Sequence, residues 1–226
     1  MNDFELRVTG DTVTLIEHRP VKVADLEEFL TALSADAGHS TGIVPPGTRM
    51  VVSRGQLTVV LMEATPRMTS VVTPAARFTL SLPFVQYYLK VQKTAGEYVV
   101  ADSFVSCTRS PVMNEDDAVY QLPLPNVWDT GRVCTGSMKC GRGTLSSVCR
   151  DYIAAFLGSG FNWDLAVSFP AFSARDVRGR TAVVQLLSKW HEASVDNPLW
   201  GVCDKAIYSP HRHRTVKGVV NACVRY

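Results

Sequence analysis

What most limits how this chain folds is a change of hydrophobic period part-way along it. Between Thr48 and Val105 the apolar residues come in short β-rich runs. These are Met50-Val51-Val52, then, after a turn at Arg54-Gly55, Leu57 to Met62, Phe78-Thr79-Leu80-Ser81-Leu82 and Tyr98 to Val105. The Phe78 run alternates apolar with polar, the pattern of a strand buried on one face. About four strands with short turns predict an antiparallel meander, with Tyr87 to Val91 as a fifth strand or the tail of the third. From Leu145 the period becomes that of a helix. Leu145, Val148, Cys149, Tyr152, Ile153 and Phe156 form one stripe, with Thr144 at its N-cap and Gly158 at its stop. Val183, Leu186, Leu187 and Trp190 predict another helix over 181–192. Strands gathered in one stretch and helices in another describe an α+β fold.

Ahead of the meander, Phe4, Leu6 and Val8 answer Val13 and Leu15 across Thr9-Gly10-Asp11, a predicted hairpin. Leu26, Phe29, Leu30 and Leu33 then predict an amphipathic helix over 24–37, with acids in its first turn. No repeat, linker or shift of composition divides the 226 residues, so one domain over 1–226 is expected. At 46% hydrophobic and 19% charged, the chain has the material for a core, which excludes a disordered tail or a fibre. A net charge of +2 gives no basic field for nucleic acid. Six cysteines are too few for a disulfide scaffold, so a reducing compartment is expected. The N-terminus offers no apolar signal region and no run of 18 apolar residues occurs, so the expected location is cytoplasmic, with no membrane contact.

The chemistry concentrates in Leu124-Pro125-Asn126-Val127-Trp128-Asp129-Thr130-Gly131-Arg132-Val133-Cys134-Thr135-Gly136. Pro-Asn, a turn with Gly131, a β-branched residue and a cysteine describe a rigid flap in which an amide side chain lies beside a thiol. A thiol in such a place can take an acyl group from another thioester and pass it to an amine. A cysteine of ordinary pKa, about 8.5, is only a few per cent thiolate at neutral pH, which suffices when a docked partner delivers the acyl group. An Asn carboxamide can steady the negative charge that develops on the thioester oxygen, an effect of roughly a hundred- to a thousandfold.

This stretch resembles ubiquitin-conjugating enzymes, which carry His-Pro-Asn, a short turn with Gly, then Ile or Val and the catalytic Cys eight residues after the Asn. Asn126, Gly131, Val133 and Cys134 stand at the matching places. The order of elements is also similar: an N-terminal helix, a four-stranded meander, the flap, the Cys, then C-terminal helices. More narrowly, Leu-Pro-Asn-Val with Gly-x-Val-Cys-x-Gly resembles family D of the prokaryotic, bacterial conjugating-enzyme-like proteins. The resemblance implies a conjugating-type core over about 24–157 with a C-terminal helical extension over 158–226. It also implies a transferase whose catalytic residues are Cys134 and Asn126. Its partners would be a ubiquitin-like protein, a ThiF-type activating enzyme and a target protein bearing an acceptor amine. No cofactor and no metal are implied.

Two departures are visible. Leu124 occupies the place of the His that orders the flap in the eukaryotic branch, and Thr135-Gly136 replace Leu-Asp after the Cys. Asp129 and Asp151 are candidates for an acid near the thiol. Two other functions stay open: a non-catalytic module of the same fold that binds a ubiquitin-like protein, and a cysteine hydrolase pairing Cys134 with one of the five histidines. Cys140 is a candidate second thiol, whereas Cys149 falls on the apolar stripe of its helix. Cys203, His211, His213 and Cys223 lack the short Cys-x-x-Cys spacing of a zinc site. His211 to Lys217 form a local basic cluster, read as a solvated face or a dock for an acidic partner.

Overall fold

The computed structural model describes residues 3–9, 12–18, 45–54, 57–136, 138–165, 167–169, 172, 174–203 and 209–225. Its contacts gather into two units, Met1–Thr41 and Gly42–Tyr226. In the first unit, β1 (Asp3–Thr9) and β2 (Thr12–His18) pair antiparallel, with Leu6 opposite Leu15 and Val8 opposite Val13. That is the predicted hairpin. The helix expected over 24–37 lies outside the described residues.

The second unit is built on an antiparallel sheet. Its strands are β3 (Thr48–Arg54), β4 (Leu57–Ala64), β7 (Phe84–Thr94), β8 (Glu97–Thr108), β9 (Ala118–Gln121) and β12 (Ser209–Thr215). They lie in the order β12-β9-β8-β7-β4-β3. The stretch expected to supply about four strands thus supplies six, and Tyr87 to Val91 belong to a long strand of the sheet's interior. The Phe78 run does not join that sheet. It forms β6 (Arg77–Leu82), which pairs with β5 (Arg67–Val72) in a two-stranded sheet. A helix explains the separation. The backbone N–H groups of Thr79 and Ser81 donate to His191 Nδ1 (3.2 Å) and Ser194 Oγ (2.8 Å). Helix side chains therefore satisfy an edge that would otherwise recruit another strand.

The main sheet is covered on both faces. Val60, Met62, Tyr87 and Leu89 join one core with residues of β5 and β6, α1 (Leu145–Gly158) and α2 (Arg180–Asp196). Val59, Leu61, Tyr88 and Phe104 join a second core with Val216, Val219, Val220 and Cys223 of α4 (Val216–Arg225). Successive strand residues point to opposite faces. A strand buried on both faces therefore needs apolar residues at consecutive positions, which accounts for the unbroken Val59-Val60-Leu61-Met62 run. The expected stripes of α1 and α2 are buried, with Ile153 half-buried, and Thr144 Oγ1 caps α1 by accepting from Ser147 N at 3.2 Å. Between α1 and α2, β10 (Val167–Phe169) and β11 (Ala174–Val177) pair antiparallel, and a short turn of helix, α3 (Trp200–Cys203), follows α2. No described helix is long and apolar enough to cross a membrane.

The hairpin between β7 and β8 turns on Ala95 and Gly96, with φ of +52° and +85°. Positive φ at both residues is the type I′ turn that matches the twist of the strands. Alanine is a poor residue there, because its Cβ crowds the following carbonyl by about 1–2 kcal/mol. Ala95 is exposed and carries no packing role that a polar side chain would disturb. Ala95→Asn is therefore expected to stabilise the protein by about 1 kcal/mol, a rise in Tm of roughly 2–4 °C in a thermal melt.

Candidate functional site

The flap is a small hairpin fastened to the edge of β8. Gly131 N donates to Trp128 O (2.8 Å) and Trp128 N to Arg132 O (2.9 Å), closing the turn. Val127 bridges Val133, and Cys134 N donates to Asn126 O at 2.7 Å. In this register Asn126 stands directly across from Cys134. The eight-residue spacing in the sequence is thus the spacing of cross-strand partners, which lie roughly 4.5–5.5 Å apart at Cα. The pleat sorts the side chains: Val127 and Val133 turn into the core, and their neighbours Asn126 and Cys134 turn away from it. The returning strand then pairs with β8, with Val105 N donating to Gly131 O (2.8 Å) and Val133 N to Ser103 O (2.9 Å). Leu124, where the eukaryotic pattern has His, is buried in the core beside Leu122 and Val127. Apolar burial orders this flap where a histidine would use hydrogen bonds.

Asn126 and Cys134 line one open pocket of about 340 Å³, with Lys139, Ser159, Gly160 and Asn162. Cys134 is a half-buried free thiol. Asn126 is buried and adopts φ +65°, a left-handed conformation that Asn tolerates better than most residues. The loop after α1 holds its carboxamide. Asn162 N donates to Asn126 Oδ1 (3.2 Å), and Asn126 Nδ2 donates to Gly160 O (3.4 Å). A primary amide has two N–H donors, so one remains for the pocket. Asn162 in turn donates from Nδ2 to Asp164 Oδ2 (2.7 Å) and accepts from Asp164 N (3.2 Å), which stiffens the loop. Sequence reading missed this support. The Asn162-x-Asp164 pair, a common local turn, was its only signal.

The other cysteines differ in environment. Cys107, Cys149 and Cys223 are buried, and burial pushes their thiols up, to about 12 for Cys149 and Cys223. Cys140 is half-buried, its thiol raised by burial, and it does not line the pocket of Cys134. Neither candidate acid lies there: Asp129 faces Arg212 at 3.9 Å and Asp151 pairs with Arg150 at 3.1 Å. None of the described histidine side chains, His191, His211 and His213, lines the pocket either. Among the described residues no group of three or more His, Cys, Asp or Glu is placed to hold a metal ion.

The basic cluster is only partly a solvated face. Lys217 pairs with Glu115 at 2.6 Å, and His211 is buried against the flap. A Cβ at Gly131 would run into His211 Nε2 and sit 2.7 Å from the Val105 carbonyl oxygen. Gly131 also has φ +81°, so glycine is required twice over. Burial pushes His211 down to about 4, with His213 acting in the same direction and the Val105 carbonyl opposing. Its Nδ1 accepts from His213 N at 3.1 Å, the arrangement of a neutral ring.

Residues 90–195 match the family model Prokaryotic E2 family D. Over that segment the chain is similar to the prokaryotic E2-like proteins of family D. The matched residues contain the whole flap, the thiol and the loop that holds Asn126. An E2-like chain of this kind implies a conjugating-enzyme-like, transferase role, with a ubiquitin-like protein and an activating enzyme as partners in general. No curated protein and no solved structure matches the chain.

Two consequences can be measured. Gly131→Ala is expected to destabilise the protein by about 2–5 kcal/mol, from left-handed strain plus overpacking, read as a lower denaturant midpoint. His211 has a folded pKa below its unfolded value of about 6.5, so the unfolded chain takes up the extra proton. Stability from this residue is complete above about pH 6.5 and falls as the pH drops toward 4. Denaturant melts at pH 7.5 and pH 5 should show that loss in the parent and a smaller one in His211→Gln.

Proposed function

We propose that this chain is a ubiquitin-like-protein conjugating enzyme with Cys134 as nucleophile and Asn126 as the oxyanion donor. It receives a ubiquitin-like protein as a thioester from a ThiF-type activating enzyme and transfers it to an amine on a target protein. What supports the reading above all is the pairing of a half-buried thiol and a fixed carboxamide across one hairpin, at the mouth of one pocket.

The steps follow from those groups. The Cys134 thiolate attacks the carbonyl carbon of the incoming thioester, and the partner's thiolate leaves with the electron pair of the broken C–S bond. Exchange between two thioesters is nearly balanced, so docking and accessibility decide its rate. A neutral amine then attacks the new thioester. Negative charge gathers on the carbonyl oxygen, where the free N–H of Asn126 Nδ2 stabilises it without having to reorient. Collapse expels the Cys134 thiolate, and the proton shed by the amine restores the thiol. An ordinary lysine, with a pKa of about 10.4, must lose its proton before attack, so the acceptor is deprotonated on the target or in the complex. A thiol nucleophile of this kind fits a reducing, cytoplasmic setting.

The two other readings have less behind them. A purely non-covalent module has no use for an accessible thiol across from a held carboxamide. A hydrolase would need an imidazole in the pocket, and no described one is there.

Reconstitution with an activating enzyme, ATP and the ubiquitin-like partner should give an adduct on a non-reducing gel. It should vanish with reductant and be absent from Cys134→Ala; an adduct that persists in that variant overturns the assignment. Asn126→Asp keeps the left-handed backbone and the acceptor for Asn162 N but removes the donor. It should still form the thioester while discharging it to amine about a hundred- to a thousandfold more slowly.

A further inference from the structure

We propose that the protein binds a small organic acid in a second pocket, between the end of β4, the start of β5 and α1. The acid's carboxylate would meet Tyr87 and Arg67, and its apolar body would cover the walls. The inference stands apart from the reading of Cys134.

The pocket holds about 450 Å³, within the range of small-molecule sites. Pro45, Met62, Ala64 and Ile153 supply apolar walls, and it shares no lining residue with the pocket of Cys134. Tyr87 of β7 also lines it and is only 1% exposed. The Tyr87 hydroxyl is buried without a hydrogen-bond partner. Arg67 acts on it from nearby, but a guanidinium can only donate, so the phenol's own proton has no acceptor. Burial pushes Tyr87 up to about 12, which keeps that proton in place at neutral pH. A buried donor left in this state is costly, and an acceptor oxygen on a ligand would relieve it.

The charges around that hydroxyl select an anion. Arg67 and Arg150 line the pocket and are exposed, so they stand at its rim. Arg67 has no carboxylate partner among the described residues, and Arg150 shares an exposed pair with Asp151 at 3.1 Å. Glu63, the acid in the lining, does not compete for them. Its neighbours Met62 and Ala64 face the core that holds Tyr87, so the pleat turns Glu63 to the other side of the sheet. There its carboxylate accepts from Arg49 (2.6 Å), Gln86 Nε2 (3.0 Å) and Val112 N (2.8 Å). A ligand carboxylate between Tyr87 and Arg67 would accept from both, in charge-assisted bonds. A bare inorganic anion would leave the apolar walls wet, whereas an organic acid covers them.

The test titrates the full chain with phenylbutyrate and follows the backbone amides by two-dimensional NMR. Phenylbutanol serves as the uncharged counterpart and inorganic phosphate as the bare anion. The expected result is saturable shifts at the amides of Ala64, Tyr87 and Ile153 with phenylbutyrate. The alcohol and phosphate should each bind at least about tenfold more weakly. Tyr87→Phe and Arg67→Gln should each weaken phenylbutyrate at least about tenfold. The Tm of Tyr87→Phe should stay at or above that of the parent, because its hydroxyl donates to nothing inside the protein. Cys134→Ala should bind the acid as the parent does. Equal binding of acid and alcohol overturns the proposal, as does an affinity unchanged in either pocket variant or the absence of saturable shifts at millimolar phenylbutyrate. A Tyr87→Phe protein that melts well below the parent also overturns it, since the hydroxyl would then have an acceptor of its own. None of these results bears on thioester formation at Cys134, which the reconstitution assay reads separately.

Discussion

The site depends on one short antiparallel pairing, between the returning strand of the flap and the edge of β8. Two backbone hydrogen bonds, Val105 N to Gly131 O and Val133 N to Ser103 O, place that strand on the sheet. Once it is there, the period of two decides the rest. Val133 faces the core, Cys134 faces out, and the partner strand carries Asn126 to the position across from the thiol. Each such bond is worth only about 1 kcal/mol net, so the register is held as much by burial of Leu124, Val127 and Val133 as by the ladder.

Gly131 links this pairing to the far end of the chain. Its missing side chain admits the His211 ring of β12, and Arg212 beside it faces Asp129 at the flap's turn. The stretch read from its residues as a basic cluster therefore supplies, through His211, a wall of the flap. On the pocket side, the loop after α1 performs a comparable task through Gly160 and Asn162, which fix the carboxamide from behind. Asn126 is thus constrained by its own left-handed backbone, by its strand partner and by that loop. Such redundancy is what the oxyanion role proposed for Asn126 calls for, since a donor that must reorganise during reaction loses most of its advantage.

Much of this was legible before any coordinates. The stripe over 145–156 gave α1 with its cap, because packing and local propensity agree there. The Asn126–Cys134 spacing gave the flap, because a hairpin turn with glycine brings residues eight apart face to face. The assignment of Phe78–Leu82 to the main sheet did not survive. An alternating strand shows which of its faces is buried but says nothing about which neighbour satisfies its edge, and here His191 and Ser194 of α2 take that part. The strand count from Thr48 to Val105 also fell short, since strands covered on both faces lose the alternation by which they are recognised.

By itself, the sequence determined the α+β class, the buried faces of α1 and α2, and the hairpin at the flap with an amide side chain beside a thiol. Each depends on residues close along the chain, where periodicity, turn chemistry and spacing act directly. Tertiary structure alone decided that β5 and β6 stand apart from the sheet, that His211 packs on Gly131 and that Asn162 holds Asn126. These join segments tens of residues apart. Their partners are chosen by which surfaces remain uncovered once the local elements have formed, a choice no single stretch of sequence records.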